Sequence, residues 1–145
     1  MNRREVLKLG VVGVGCLGCG GGGEDVPADA AEPGSFTMCG AEVCVDLTNP
    51  ANAALLEING ARALDVPDKI LILRTSATEF VVLSRVCTHQ GCGLAYQPGP
   101  MELACSCHGS RFSATGSVLR GPATRSLKKL TNRFDAATQT LAITV

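Results

Sequence analysis

The sequence predicts an all-β domain whose strands are mostly antiparallel. Short apolar runs rich in Val, Ile and Leu recur between turn-forming residues from residue 43 onward, which is the pattern of strands joined by tight turns. Helical periodicity is confined to residues 50–56. The 145 residues are 46% hydrophobic but only 3% aromatic. We therefore expect one domain with an aliphatic core and some chain left over.

The predicted strands follow one another in short pairs. Val43 and Val45 alternate with a cysteine and an aspartate, and they belong to the first long strand. Asn59-Gly60 is a strong hairpin signal, so residues 55–58 and 61–66 are expected to pair around it. Four further runs predict strands, and a turn at residues 135–138 joins the last two: residues 70–73, 80–83, 126–134 and 139–145.

The first 19 residues predict an export signal of the twin-arginine type. Arg3 and Arg4 lie in a charged start, and a short apolar run follows at residues 9–18. This order is typical of twin-arginine signals, whose export route carries folded proteins. The run is shorter than the ~20 apolar residues that a membrane-spanning helix needs. We therefore expect a protein of the periplasm or of the outer face of a bacterial membrane.

The mode of membrane attachment stays open at this stage. The signal segment is either cleaved or retained, or a lipid is attached to Cys19 or Cys16, each of which follows a glycine. Residues 20–35 consist mainly of Gly, Ala, Pro and acidic residues. They have almost nothing to bury and so predict a flexible tether. The folded domain is expected to span residues 36–145.

Charge and cysteine content limit the partners and the compartment. The chain has 13 basic and 13 acidic residues, whereas nucleic-acid binding needs clustered positive charge. We therefore expect no nucleic-acid partner. Eight cysteines are many for a cytosolic chain, because disulfides seldom persist in the cytosol. Cys39 and Cys44 are expected to form a disulfide at the start of the first strand.

Two short stretches hold both histidines and half of the cysteines. They read Cys-Thr-His-Gln-Gly-Cys at residues 87–92 and Cys-Ser-Cys-His-Gly-Ser at residues 105–110. Two thiolates and two imidazoles can bind one tetrahedral zinc or a two-iron cluster with cysteines on one iron and histidines on the other. The usual zinc-finger spacing is absent from both stretches. The pattern favours the cluster, and a zinc-stapled structural or interaction domain is the alternative of another class.

These stretches resemble the two cluster-binding boxes of the Rieske iron–sulfur proteins, Cys-Thr-His-x-Gly-Cys and Cys-Pro-Cys-His-Gly-Ser. The first box matches throughout, and Ser106 replaces the usual proline in the second. The resemblance implies a Rieske-type β-sandwich or barrel with a small inserted cluster-binding subdomain at about residues 84–124. It also implies one Rieske [2Fe–2S] cluster as the cofactor.

The resemblance implies roles for individual residues. Four side chains would bind the irons, the cysteines on one iron and the histidines on the other: Cys87, Cys105, His89 and His108. Cys92 and Cys107 would form a disulfide between the boxes. Phe112 stands where high-potential members often have Tyr, and Pro122 lies in a Gly-Pro-Ala-Thr sequence that is similar to the family's proline loop. Three residues beside the ligands would also tune the cluster: Gly91, Gly109 and Ser110.

The implied function is one-electron transfer in a periplasmic or membrane-surface respiratory-type chain. The partner would be a cytochrome c, the large subunit of an oxidoreductase, or quinol. The alternative is the iron–sulfur subunit of a quinol–cytochrome c reductase or of a periplasmic oxidoreductase such as arsenite oxidase. Gln90 occupies a position that is often Leu in the quinol-oxidising subunits. No nucleophile–base pair remains once both histidines are ligands, so we expect no catalysis by this chain alone.

Overall fold

The computed structural model describes residues 34–145. The predicted signal segment at residues 1–19, most of the tether, and the lipid sites Cys16 and Cys19 lie outside the described residues. The described part contains one 3₁₀ helix, Pro50–Leu56. Its strands are β1 (Thr37–Cys39), β2 (Glu42–Asp46), β3 (Ala61–Leu64), β4 (Ile70–Arg74), β5 (Phe80–Ser84), β6 (Leu94–Gln97), β7 (Glu102–Cys105), β8 (Arg111–Ser113), β9 (Val118–Arg120), β10 (Asn132–Asp135) and β11 (Thr140–Thr144).

The strands form three sheets, and every neighbouring pair is antiparallel. The base sheet has the order β1-β2-β11-β10, the middle sheet β3-β4-β5, and the site sheet β6-β7-β8-β9. Within residues 34–145 the sheets stay open and do not close into a barrel. The site sheet is inserted between β5 of the middle sheet and β10 of the base sheet. The predicted all-β, mostly antiparallel fold with an inserted subdomain is confirmed.

Strand β4 explains how the three sheets pack. Successive side chains of a strand point to opposite faces. Ile70 and Ile72 belong to one buried cluster, and Leu71 and Leu73 belong to another. All four are at most 2% exposed, so both faces of the middle sheet are covered. This is why the run is continuously apolar and does not alternate with polar residues.

The two clusters are the two cores of the domain. The first lies between the base and middle sheets, and its largest fully buried members include Leu47, Leu55 and Leu141. The second lies between the middle and site sheets and contains Leu103 and Phe112. Removing one such leucine side chain costs about 2–5 kcal/mol of stability. The second core also contains two cysteines of the predicted metal site, so packing and function meet there.

The predicted hairpin at Asn59-Gly60 is wrong. Residues 55–56 belong to the 3₁₀ helix, and β3 pairs with β4 and not with the segment before the turn. The helix begins because Asn49 accepts a hydrogen bond from the amide of Ala51 at 2.9 Å and a proline follows the cap, where its fixed φ suits a first helical turn. The Asn59-Gly60 turn instead bonds to the end of β4, since Arg74 donates to the Gly60 carbonyl at 3.0 Å.

The predicted closing hairpin forms, with a shorter first strand. Strand β10 covers Asn132–Asp135 and pairs with β11. Asp135 accepts hydrogen bonds from the amides of Ala137 and Thr138 at 2.9 and 3.4 Å. These bonds hold the pKa of the Asp135 carboxyl below its usual value, because they stabilise the charged form.

The described chain begins at the base sheet. Asn49 donates to the carbonyl of Gly34 at 2.8 Å, and Asn52 donates to that of Ser35 at 2.6 Å. Ser35 is 1% exposed, so the last two residues assigned to the tether are anchored against the domain. No helix among residues 34–145 is long and apolar enough to cross a membrane.

Candidate metal centre

The two boxes form loops with the same backbone hydrogen bonds. In the first, the amide of Cys87 donates to the carbonyl of Cys92 at 2.8 Å, and that of Gly91 donates back to the Cys87 carbonyl at 2.9 Å. In the second, Cys105 donates to Ser110 and Gly109 to Cys105, both at 2.9 Å. Each loop is therefore a compact turn, and the first residue of each is a cysteine.

Glycine is needed in both turns because of the backbone conformation. Gly91 has φ 74° and Gly109 has φ 77°, a region that other residues seldom adopt. A Cβ at either position would meet no atom within 4 Å. Positive φ, and not crowding, therefore selects glycine. Each five-residue turn, at residues 87–91 and 105–109, reverses the chain, so that the cysteine and histidine of one box lie in the same loop.

A disulfide joins the two loops. Cys92 and Cys107 are bonded, with Cα atoms 6.5 Å apart, and Cys39 and Cys44 form a second disulfide between β1 and β2. Both pairs are those expected from the sequence. The sulfur of Cys105 lies within 4.8 Å of the sulfurs of the first disulfide. Since bonded sulfurs are not thiolates, this trio does not make a ligand set, and Cys105 is its only available donor.

Two free cysteines and two histidines remain as donors. Cys87 and Cys105 are unbonded and each 2% exposed. The rings of His89 and His108 lie edge to face with centroids 4.8 Å apart. The Nδ1 atom of His89 is buried and has no hydrogen-bond partner in residues 34–145. A buried ring nitrogen with no partner is unfavourable, and a metal bond would satisfy it. The donor set therefore fits an iron–sulfur cluster with two thiolate and two imidazole ligands.

A third segment, residues 121–125, is hydrogen-bonded to both boxes. The amide of Ala123 donates to Oγ of Ser110 at 3.0 Å, and Oγ1 of Thr88 donates to the carbonyl of Arg125 at 2.6 Å. Pro122, which follows a cis peptide bond, directly precedes Ala123, so the chain is held to both boxes immediately after this proline. Ser110 is fully buried. Its oxygen accepts from Ala123, so its hydroxyl proton remains available to a cluster atom.

The apolar core backs the cysteine side of the site. Phe112 is fully buried in the same cluster as Cys87 and Cys105. Tyr96 belongs to this cluster too, and its hydroxyl makes no hydrogen bond within the described part of the chain. Burial raises the pKa of the Tyr96 phenol, because the charged form loses its hydration. The cysteines thus lie in a dry environment, whereas His108 is exposed.

Sequence reasoning missed the buried Arg85, which lies two residues before the first box and fixes its position through several contacts. Its Nε donates to the carbonyl of Leu94 at 3.1 Å, and its guanidinium lies 3.5 Å from the Asp65 carboxylate. The backbone amide of Arg85 donates to the carbonyl of Lys69 at 2.6 Å. Arg85 therefore links the β3–β4 connection to the start of the site sheet two residues before Cys87. A single arginine after an apolar strand gives no sequence signal for this role.

Comparisons with known proteins agree with the site. The family model described as a Rieske [2Fe-2S] domain matches residues 28–131. A cytochrome b6-f complex iron-sulfur subunit of Synechococcus sp. (strain JA-2-3B'a(2-13)) is 32% identical over 151 aligned positions, covering 93% of this chain and 83% of that relative. Cytochrome b6-f complex iron-sulfur subunit 2 of Trichormus variabilis is 37% identical over 84 positions. That match covers 54% of this chain and 47% of the relative, about half of its length.

A solved structure shares the fold. The cyanobacterial plasma membrane Rieske protein PetC3 from Synechocystis PCC 6803 superposes with a TM-score of 0.54 at 25% identity, covering 62% of this chain and 91% of that one. Two buried free cysteines, two histidine rings in edge-to-face contact and a disulfide between their loops are the features expected of an iron–sulfur site with cysteine and histidine ligands. The chain belongs to the Rieske [2Fe-2S] family, and its cofactor is one [2Fe-2S] cluster.

Proposed function

We propose that this protein transfers single electrons, and that its cluster is bound through two cysteines and two histidines: Cys87, Cys105, His89 and His108. When bound, the cluster supplies reversible one-electron redox chemistry. The observation that carries the proposal is the edge-to-face contact of the two histidine rings, on loops that each begin with a buried free cysteine, with a buried His89 nitrogen that lacks a partner in residues 34–145.

The difference in exposure between the ligands sets the direction of electron exchange. Cys87 and Cys105 are buried against the second core, while His108 lies at the surface and His89 is half-buried. A partner therefore reaches the histidine side, and the apolar core keeps water from the thiolates.

Metal and sulfide analysis tests the ligand set. Purified protein is expected to contain two iron atoms and two acid-labile sulfides per chain, and to give an EPR signal after reduction. Cys105→Ser is expected to abolish all three, because one of the two thiolate ligands of the cluster is lost. The matched control is Cys39→Ser with Cys44→Ser, which removes two sulfurs outside the site and is expected to leave the iron content unchanged. One zinc per chain without sulfide would refute the proposal in favour of a structural zinc site.

The relatives favour a role beside quinol-oxidising cytochromes. We propose as a second, narrower candidate that the chain is the iron–sulfur subunit of such a complex, because the relatives are named cytochrome b6-f complex iron-sulfur subunits. A free-standing carrier is the other arrangement. Native electrophoresis of gently solubilised membranes separates them: a subunit migrates with b- and c-type haem, whereas a free carrier migrates alone at the size of the chain.

Export to the periplasm or to the outer face of the membrane is part of the proposal. Its support is the Arg3-Arg4 pair before a short apolar run. Arg3→Lys with Arg4→Lys keeps the charge but removes the arginine pair, and it is expected to retain the cluster-loaded protein in the cytoplasm. Fractionation of cells reads this out. Equal export of the variant would refute the twin-arginine route without touching the electron-transfer proposal.

A further inference from the structure

The zero net charge of the chain hides an uneven division of charge. Between residues 84 and 131, six of the seven charged side chains are Lys or Arg, and only Glu102 is acidic. The described remainder, residues 34–83 and 132–145, carries seven acidic and four basic side chains. The part of the chain that carries the boxes is therefore net positive, and the remainder, which forms the base and middle sheets, is net negative.

Three arginines lie next to the two boxes and the segment that joins them. Arg111 directly follows the second box, and it is the cross-strand neighbour of Arg120 on β9. Arg120 directly precedes the cis Gly121-Pro122 peptide. The carbonyl of Arg125 accepts the hydrogen bond from Thr88, which is the neighbour of His89. All three arginines are exposed. We call Arg111, Arg120 and Arg125 the arginine rim.

Most of the charge of the rim is uncompensated in the described part of the chain. Arg111 forms an ion pair with Glu102 at 3.3 Å, but Arg120 and Arg125 form none with any residue of 34–145. Like charges directly opposite each other on neighbouring strands are destabilising. The repulsion between Arg111 and Arg120 is offset in the described chain only through the Arg111–Glu102 ion pair.

We propose that the arginine rim is a docking surface for an acidic patch on the redox partner protein. The proposal rests on the proposed function, because it assumes that electrons pass at the histidine side. A chain with no net charge is not attracted to an acidic partner as a whole. Its uneven charge distribution is a dipole, however, and this dipole orients the positive end of the domain toward an acidic partner. Charge complementarity of this kind raises the rate of encounter and selects the orientation.

The geometry favours a protein over an anionic membrane as the occupant. Arg111 directly follows the second box, and the carbonyl of Arg125 is hydrogen-bonded to the first box, so a molecule that covers the rim also contacts the loops that carry the histidines. A lipid headgroup layer contains no electron acceptor there. A partner that presents an acidic rim around its own redox centre satisfies both requirements at one surface.

The first measurement uses small oxidants of opposite charge. In stopped-flow experiments each reduced protein gives one electron to ferricyanide, which becomes ferrocyanide, or to cobalt(III) tris-phenanthroline, which becomes cobalt(II). The ferricyanide rate is expected to fall roughly tenfold or more from about 10 mM to about 500 mM salt. The rate with the cobalt complex is expected to rise over the same range. Equal salt dependence for both oxidants would overturn the proposal.

Charge-removing variants locate the effect. Arg120→Gln and Arg125→Gln are each expected to slow the low-salt ferricyanide reaction roughly fivefold, since a unit charge about 10 Å from a trivalent ion in water has that influence. Arg133→Gln is the matched control, because Arg133 is exposed on β10 of the base sheet. Its removal should leave the rate unchanged. An equal effect of Arg133→Gln would show a general charge effect and refute the rim.

A binding measurement that does not require the cluster separates this proposal from the proposed function. Poly-L-glutamate is expected to bind the full chain in calorimetry and to lose at least roughly tenfold in affinity in the Arg120→Gln, Arg125→Gln double variant. If polyglutamate binds but the protein gives no EPR signal, the electron-transfer proposal is refuted and the arginine rim is supported. If the protein gives an EPR signal but polyglutamate binding does not depend on the rim, only the docking proposal is refuted. Rim-dependent binding to phosphatidylglycerol vesicles, with none to polyglutamate, would contradict a protein partner.

Discussion

The two disulfides offer a comparison within one chain. Cys92 and Cys107 are 15 positions apart and join the two boxes, whereas Cys39 and Cys44 are 5 apart on the edge hairpin of the base sheet. Replacing either pair by alanine frees a loop in the unfolded chain. The loop-entropy relation gives about 3 kcal/mol for the longer loop and about 2 kcal/mol for the shorter. Stability alone should therefore differ by only about 1 kcal/mol between the two double variants.

The effect on the metal site should differ much more. Cys92 and Cys107 belong to the same loops as the proposed ligands, so losing their bond lets the boxes separate. We expect Cys92→Ala with Cys107→Ala to lower the urea midpoint of β-sheet unfolding by about 1.5 M, with a slope of about 2 kcal/mol per M, and to lose the cluster absorbance at a still lower urea concentration. We expect Cys39→Ala with Cys44→Ala to shift the midpoint by about 1 M and to keep its iron at neutral pH.

Urea titration followed by visible absorbance and by circular dichroism measures both quantities. In the box-disulfide variant the absorbance should disappear before the β-sheet signal, since the boxes open before the base sheet unfolds. In the hairpin variant the two transitions should coincide. Early cluster loss in the hairpin variant, or coincident transitions in the box variant, would refute the clamp reasoning.

Three further variants test single interactions. Phe112→Tyr is expected to raise the reduction potential by about 40 mV, because a net hydrogen bond of about 1 kcal/mol to a cysteine ligand corresponds to that shift for a one-electron couple. Phe134→Tyr is the control, since the Phe134 ring packs against the first core and the potential should not change. An unchanged potential in both variants would contradict this role of position 112. Tyr96→Phe is expected to leave the free energy of unfolding in urea unchanged or raise it by up to about 1 kcal/mol, because it removes a buried hydroxyl without a partner in residues 34–145. A clear decrease in the free energy of unfolding would show that the hydroxyl is hydrogen-bonded. The amides of Ala137 and Thr138 lower the pKa of Asp135, so its charged form adds stability that is present above the unfolded pKa and lost as pH falls through the folded one. The urea midpoints of the wild type and Asp135→Asn should therefore differ at neutral pH and converge below about pH 4, and a constant difference would argue against this cap.

Local patterns predicted the parts of the fold that depend on neighbouring residues. The runs at β4 and β5 and the turn before β11 are each specified by residues within one element, and all were found. The hairpin at Asn59-Gly60 failed for the opposite reason. The turn signal is present, and Asn59 does adopt φ 67°. The strand that pairs with β3 is, however, chosen by the burial of the continuous apolar run of β4, and a turn motif carries no information about that choice.

The candidate site divides in the same way. Each box contains its proposed donors within six residues, so the sequence alone was enough to predict them. The contact from Thr88 to Arg125 joins residues 37 positions apart, and Ser110 meets Ala123 across another strand pair. Such contacts depend on how the sheets pack. The arginine rim is different, because its excess of basic residues is readable in the sequence but disappears in a count over the whole chain.

The most direct test of the central claim is a potentiometric titration of the purified protein, followed by EPR. The account predicts a rhombic signal in the reduced state and a positive potential, because two imidazole ligands in place of two thiolates raise the potential of a two-iron cluster. The same signal at a negative potential would contradict a quinol-linked role. No signal, with zinc in the sample, would contradict the cluster itself.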